Sequence, residues 1–470
     1  MHIPPTLRSQ SRLCLSAALG LFLAGCVSLD TTADFDEAMG LVEERSGWRP
    51  EWNAPWSDEL ATWDGTSPLT IDQAVTIALQ SNRAMRATLE GIAAARADLV
   101  QSGLLPNPVL SASFDTSIGG EGGPAAISVS LVQQLTDLWL RPARQDAAAA
   151  ALREQILGVS DEALRLVADV RQSHAGLVYG QRGIALTESH IELIDRAIDL
   201  SESRIRAGEG TQLDVNRLLQ LKLSLKADRT QQALDIGKER RHLLELLGLA
   251  GADATWVAAD ISPPMMNDTH EFSESEVIEL TTLQRLDVAA ATKTLETRLQ
   301  ELRLANLGSL PDLEAGPSYE KDEDGRDALG AEISLEIPIF DTNQARVAKA
   351  RSGWRRAQAI ADQVLQSAVA QSRTAWLDVQ ANLELINFFR DQVLILAKDN
   401  LRLAKQAYQA GQIDMTVVLE TQRELIQAEF ELNELESIAA DRMIELEYAV
   451  GGKLARMTDA QFSEEDSESS

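Results

Sequence analysis

The chain has 470 residues, long enough for about three ordinary domains, and carries 43 Lys and Arg against 72 Asp and Glu for a formal net charge of −29. That balance excludes a phosphate-binding nucleic-acid surface, which needs clustered cations; it fits either a solubility feature or an acidic aqueous passage that favours cations. Hydrophobic content of 44% with only 4% aromatic residues suits Ala- and Leu-rich helices better than an aromatic-packed sandwich.

At the N-terminus, Arg8 and Arg12 precede the apolar run LCLSAALGLFLAGC. The run is too short for a permanent bilayer span and reads as a signal peptide over residues 1–25. Its end, Leu23-Ala24-Gly25-Cys26, resembles the bacterial lipobox, which implies cleavage before Cys26 and acylation of its thiol and new amino group. Val27 stands where an inner-membrane retention signal would carry Asp, so the outer membrane is favoured. Cys14 leaves with the signal peptide, so no intrachain disulfide can form. A lipid-anchored segment, 26–68, follows and holds Trp48, Trp52, Trp56 and Trp63.

The 14 prolines organise the remainder. None lies between Pro142 and Pro263, or after Pro338. Proline costs about 3 kcal/mol inside a helix, so these two tracts are where long helices belong. A first repeat is expected over 69–251: a helix opening at Ile71-Asp72-Gln73-Ala74, a β-hairpin over 108–136 and a helical hairpin over 140–248, with Pro142 in the first helical turn. Positions 166, 170, 173, 177, 180, 184, 187, 191, 194, 198, 201 and 205 keep 4-3 spacing, and eight of them are Leu, Val or Ile, which is a coiled-coil seam. One helix over 140–206 would run roughly 100 Å, more than a compact domain can hold. It breaks at Ala207-Gly208-Glu209-Gly210, and a second helix spans 212–248.

After a linker, 252–275, the plan recurs over 276–452. A helix starts near Glu276, a β-hairpin covers 312–339 and a helical hairpin covers 343–450, with a continuous first helix over 343–408. That helix carries a stripe through Leu365, Val369, Trp376, Val379, Leu383, Ile386 and Val393, and the chain breaks at Ala410-Gly411. The pairs Gly103/Gly308, Asp137/Asp341, Gly208/Gly411 and Gly251/Gly452 lie 201 to 205 residues apart, the mark of a tandem duplication. The acidic tail, 453–470, reads as disordered.

Each copy interrupts its helices with two extended runs. Ile333, Leu335, Ile337 and Ile339 alternate with Glu332, Ser334 and Glu336, as Ile127, Val129 and Leu131 do with Ser128 and Ser130. Two hairpins of about ten residues per strand have the length to cross a bilayer as tilted barrel strands. Four strands cannot close a barrel, whose smallest members have eight, and lipid tolerates no unpaired edge. Three chains sharing twelve strands satisfy both limits. The expected fold class is an α+β membrane protein: a long coiled-coil α-helical tunnel domain with a four-strand contribution to a shared 12-stranded trimeric outer membrane β-barrel.

No catalytic, cofactor or metal motif is present. His174, His190, His242 and His270 show no HxxxH or HExxH spacing, and no GxGxxG or GxxxxGK[ST] loop occurs, so energy for any transport must come from a partner. Met265-Met266 follows Pro263-Pro264 and reads as linker. The chain is not an enzyme on this reading.

Several segments in order carry a family resemblance. They are Leu69-Thr70-Ile71-Asp72-Gln73-Ala74, Gly103-Leu104-Leu105-Pro106-Asn107-Pro108, Ile337-Pro338-Ile339-Phe340-Asp341, and the paired tips Arg206-Ala207-Gly208…Leu213-Asp214-Val215 and Tyr408-Gln409-Ala410-Gly411…Val418-Leu419-Glu420-Thr421-Gln422. Over 69–452 the chain is similar to TolC-family outer membrane efflux channels. Gln284-Arg285-Leu286-Asp287-Val288-Ala289 and the Trp-rich leader resemble the heavy-metal cation branch. The resemblance implies a homotrimer in the outer membrane that extends into the periplasm and passively conducts substrate from an inner-membrane transporter and a periplasmic adaptor. Drug efflux and type I protein secretion are the alternative cargoes. A non-pore periplasmic adaptor is the alternative class, but an adaptor would have one helical hairpin within flanking β-domains. The resemblance also places adaptor contacts at Ala207, Gly208, Gly210, Ala410 and Gly411, and a gate at Asp214 and Glu420. Val417 stands where a second gate acid can occur, and Glu209 and Asp414 are candidates to compensate.

Overall fold

A computed structural model describes residues 29–52, 63–115, 125–208, 210–252, 255–262, 272–322 and 324–454. The readings placed on Cys26, Val27, Trp56, Glu209, Pro263-Pro264, Met265-Met266, His270 and the tail from Ala455 lie outside these residues. The helices are α1 (Thr32–Ser46), α2 (Ile71–Ser81), α3 (Arg83–Ser102), α4 (Thr136–Arg206), α5 (Gln212–Leu246), α6 (Glu274–Gln284), α7 (Leu286–Leu307), α8 (Gln344–Phe388), α9 (Leu394–Gln409) and α10 (Met415–Val450). None of them is long and apolar enough to cross a membrane. The chain forms two compact units, one of Met1–Asp34, Ile92–Leu152 and Glu296–Trp354, the other of Phe35–Gly91, Arg153–Leu295 and Arg355–Ser470.

The first unit contains the strands β1 (Val109–Asp115), β2 (Ala126–Gln134), β3 (Leu313–Lys321) and β4 (Asp327–Leu335). They make one antiparallel sheet in the order β1-β2-β3-β4. The register sets Leu110 opposite Leu131, Ala112 opposite Val129, Val129 opposite Tyr319 and Tyr319 opposite Leu329. Partners across strands share a face, so Leu110, Phe114, Ile127, Val129, Leu131, Tyr319, Leu329 and Ile333 lie on one side, while Val109 and Val132 pair on the other. The strands have seven or nine residues, shorter than the expected ten. Ile337 and Ile339 fall beyond β4, because Pro338 offers no N–H to a ladder and Ile339 N–H instead folds back onto the Ile337 carbonyl at 2.9 Å. Helix α4 starts at Thr136, whose hydroxyl accepts Leu313 N–H at 2.6 Å. Pro142 therefore sits in the second turn of α4, not the first, and leaves the Leu138 carbonyl without its helical donor.

The second unit holds the duplicated helical framework, with a constant offset of 203 residues. Thr70 and Ser273 each close a capping box, with Gln73 and Glu276, which fixes where α2 and α6 begin. Each of these helices ends at a residue in extended conformation, Asn82 and Arg285, so the single opening helix read from sequence is two helices in each copy. Asn82 Nδ2 donates to the Leu246 carbonyl at 2.9 Å, and Arg285 Nη1 donates to the Ala449 carbonyl at 3.1 Å. Gly248 and Gly451, with φ of +71° and +90°, end α5 and α10. A Cβ on either would overlap the backbone at Ser81 or Arg285. Gly248/Gly451 is thus the equivalent pair, replacing Gly251/Gly452.

Of the twelve seam positions read along α4, eight are buried and four half-buried. The second stripe needs correction at its start. Leu365 is exposed, and Ala368, Ser372 and Ala375 lead into Val379, Leu383 and Ile386 as the buried line; small side chains mark it, so a search for large apolar residues lands on a neighbouring face. The expected continuous helix over 343–408 is also interrupted by a π-turn, Phe389–Val393. There Arg390 pairs with Glu436 at 2.7 Å.

Helix α1 buries Phe35, Ala38, Met39 and Val42, an i, i+3, i+4, i+7 stripe. Trp52 is buried and donates to the Leu79 carbonyl at 3.0 Å. Trp48 donates to Asp72 at 3.0 Å, with Arg171 and Lys453 against its ring.

Candidate functional site at the hairpin tips

Each helical hairpin reverses at a glycine whose φ, not its space, demands glycine. Gly208 (+80°) and Gly411 (+70°) would meet nothing within 4 Å of an added Cβ, yet L residues avoid this region. At the second tip, Gln412 N–H donates to the Ala407 carbonyl at 2.9 Å and Gly411 N–H to Tyr408 at 3.0 Å, capping α9 in a Schellman-like turn.

Three residues after each glycine comes the N-cap of the returning helix, and here the copies diverge. Thr211 forms a capping box in which the Asp214 carboxylate accepts its N–H at 3.3 Å and its hydroxyl at 2.7 Å. Asp414 caps α10 without a side-chain hydrogen bond. Counting from the glycines, Asp214 corresponds to Val417 and Glu420 to Arg217, so the two proposed gate acids are not equivalent positions. Asp214 is half-buried and engaged, whereas Glu420 is exposed and forms no ion pair among the described residues. Ala207, Gly208, Ala410 and Gly411 are exposed, Gly210 is half-buried, and Leu213 and Val417 add exposed apolar surface.

The tips share one core. Ile194 and Ile198 of α4, Val215 and Leu218 of α5, Tyr408 of α9, and Met415 and Leu419 of α10 are buried together. At the tips, Arg204 and Arg217 each tie the first hairpin to the second. The Arg204 guanidinium lies 4.3 Å from the Tyr408 ring centroid and donates to the Tyr408 carbonyl at 3.3 Å. Arg217 Nη1 donates to Thr416 Oγ1 at 2.6 Å. Neither tie was read from the sequence, although superposing the two tips on Gly208 and Gly411 would have exposed the Arg217/Glu420 mismatch.

His174 and His190 are buried. His174 is fully buried and hydrogen-bonds the Leu69 carbonyl at 2.8 Å, and burial lowers its pKa. His190 sits 3.1 Å from Glu429, with Phe430 against its ring. Among the described residues no group of three or more His, Cys, Asp or Glu could hold a metal ion.

The profile of the family described as "Outer membrane efflux protein" matches residues 277–452. The chain is similar to Outer membrane protein OprJ of Pseudomonas aeruginosa, 25% identical over 78% of this chain and 83% of that protein. It is also similar to Cobalt-zinc-cadmium resistance protein CzcC of Cupriavidus metallidurans, 21% identical over 78% and 86%. Among solved structures, a membrane protein from Pseudomonas aeruginosa superposes with a TM-score of 0.69 at 22% identity, covering 86% of this chain and 99% of that one.

Proposed function

We propose that the chain is a TolC-like outer membrane efflux protein, three copies of which assemble into the exit duct of a tripartite efflux system and pass substrate from an inner-membrane transporter and periplasmic adaptor to the exterior; the match of residues 277–452 to the outer membrane efflux protein family supports this reading. The observation that carries the assembly is the four-stranded sheet. Its outer strands β1 and β4 pair on one side only, and its apolar face is exposed, with Phe114, Leu329 and Ile333 at 71%, 85% and 72% exposure. A lipid-embedded sheet must pair its edges, and twelve strands from three chains do so. Leu377, Leu385, Phe388, Leu396 and Leu403 on α8 and α9, with the adjoining turn, are exposed as well, at spacings of three, seven and eight residues that suit a helix seam between copies.

In this reading the tips meet the adaptor through Ala207, Gly208, Gly210, Ala410 and Gly411. Glu420, Asp414, Glu209 and Asp214 supply the acids of the periplasmic mouth, and Cys26 carries the lipid anchor. Heavy-metal cations are the proposed cargo, supported by the likeness to the cobalt-zinc-cadmium resistance protein CzcC. A deletion strain should become sensitive to cobalt, zinc or cadmium. Sensitivity confined to dyes and antibiotics would reassign the cargo, and unchanged tolerance to all of them would overturn the efflux role.

A further inference from the structure

We propose that the polar face of the sheet sets the ion preference of the open duct, with Glu314, Glu320 and Glu332 lining the barrel lumen and favouring cations over anions. This rests on the shared-barrel reading above. The register places Glu314 opposite Ser334, Gly316 opposite Glu332 and Glu320 opposite Ala328, and Ser128 opposite Glu320. These residues alternate with Leu313, Ala315, Tyr319, Leu329, Ile333 and Leu335, so they occupy the face opposite the apolar one. When the apolar face meets lipid, this face meets water.

Two features make that wall a selectivity element instead of an ordinary wet surface. Its charge has one sign. The only Lys or Arg within the four strands is Lys321, and it stands on the apolar side, paired across the ladder with Asp327. None of the three glutamates forms an ion pair among the described residues. Ser111, Ser130, Ser318 and Gly330 share one level across the sheet, and Glu320 and Glu332 stand opposite only Ser128, Ala328 and Gly316, whereas Glu314 has Gln134 beside it and Val109 pairs with Val132 on the same face.

The charges form two belts. Glu332 is diagonal to Glu314, a separation of about 7–8 Å, whereas Glu320 lies six residues along β3, about 20 Å away. The second distance exceeds the screening length of about 8 Å at physiological salt, so the belts act separately, each repeated three times around the axis. A low-dielectric wall focuses such a field into the passage. All three acids come from the second repeat. They are open to the lumen, whereas Asp214 at the tip is held by its own helix cap.

The test compares the wild type with a Glu314→Gln, Glu320→Gln, Glu332→Gln variant in planar bilayers under a KCl gradient. The cation-to-anion permeability ratio should fall about threefold or more, with detergent-solubilised mass unchanged. An unchanged ratio in a conducting variant overturns the proposal. A wild type that inserts without conducting would instead sink the exit-duct reading beneath it. Should the triple variant fail to assemble, Glu320→Cys alone decides: a cationic thiol reagent should lower conductance and cation preference, and a conducting channel indifferent to it refutes the lumenal placement.

Discussion

Arg204 and Tyr408, 204 residues apart in sequence, meet at the hairpin tips with guanidinium over ring at 4.3 Å and a further hydrogen bond to the Tyr408 backbone. Tyr408 is buried in the shared tip core, where a cation–π contact is worth about 1–2 kcal/mol. With Arg217–Thr416, it fastens the first hairpin to the second. Arg204→Ala combined with Arg217→Ala should loosen the tips and raise single-channel conductance several-fold without changing the native mass. Unaltered conductance in the folded variant would mean that these ties do not restrain the mouth.

The two candidate gate acids should behave differently. Glu420→Gln should weaken block by multivalent cations added on the periplasmic side and leave Tm unchanged. Asp214→Ala removes a capping box, costing about 1 kcal/mol, so it should lower Tm with a smaller effect on block. Equal block and equal Tm shifts in the two variants would contradict the asymmetry.

Burial raises the Asp161 carboxyl to about 6, with Asp287 adding to the rise and Arg285 and Arg165 opposing it. Between about pH 4 and 6 the native state holds a proton that the unfolded chain has released. Stability from this group therefore grows as pH falls through 6 and is lost as pH rises above it. Asp161→Asn, neutral at every pH, should stabilise by on the order of 1–3 kcal/mol near neutral pH, with the gain vanishing near pH 4. Thermal melts by circular dichroism at both pH values check this, and a gain that persists in acid would contradict the assignment.

Ile194 is buried in the tip core at 1% exposure. Ile194→Asp would bury an unpaired carboxylate at a cost of about 3–5 kcal/mol, and the tip helices should lose protease protection first. Resistance equal to that of the wild type would remove Ile194 from the seam.

Cys26→Ser should abolish metabolic acyl labelling while the assembled channel persists, because the barrel itself holds the protein in the membrane. Labelling that survives the substitution would refute the lipid site.

Much of this architecture was legible because it rests on periodicity and punctuation. The 4-3 seam through Leu166, Val170 and Leu177, the alternation around Ile333, and the glycines at 208 and 411 are local patterns that directly express helix, strand and turn physics. What stayed hidden depends on tertiary partners. The Ala368-Ser372-Ala375 line is buried through close packing of small side chains, which carry little hydropathy signal. The breaks at Asn82 and Arg285 are set by hydrogen bonds to residues 164 positions away. Asp214 and Glu420 looked alike as acids following a glycine, and only their positions relative to Thr211 and Asp414 separate a helix cap from a free carboxylate.

The shared barrel can be tested most directly by the native mass of the mature protein in detergent, measured by light scattering with the detergent contribution subtracted. The account requires the mass of three chains, since the unpaired edges of β1 and β4 must find each other between copies. A stable, conducting species with the mass of a single chain would contradict it.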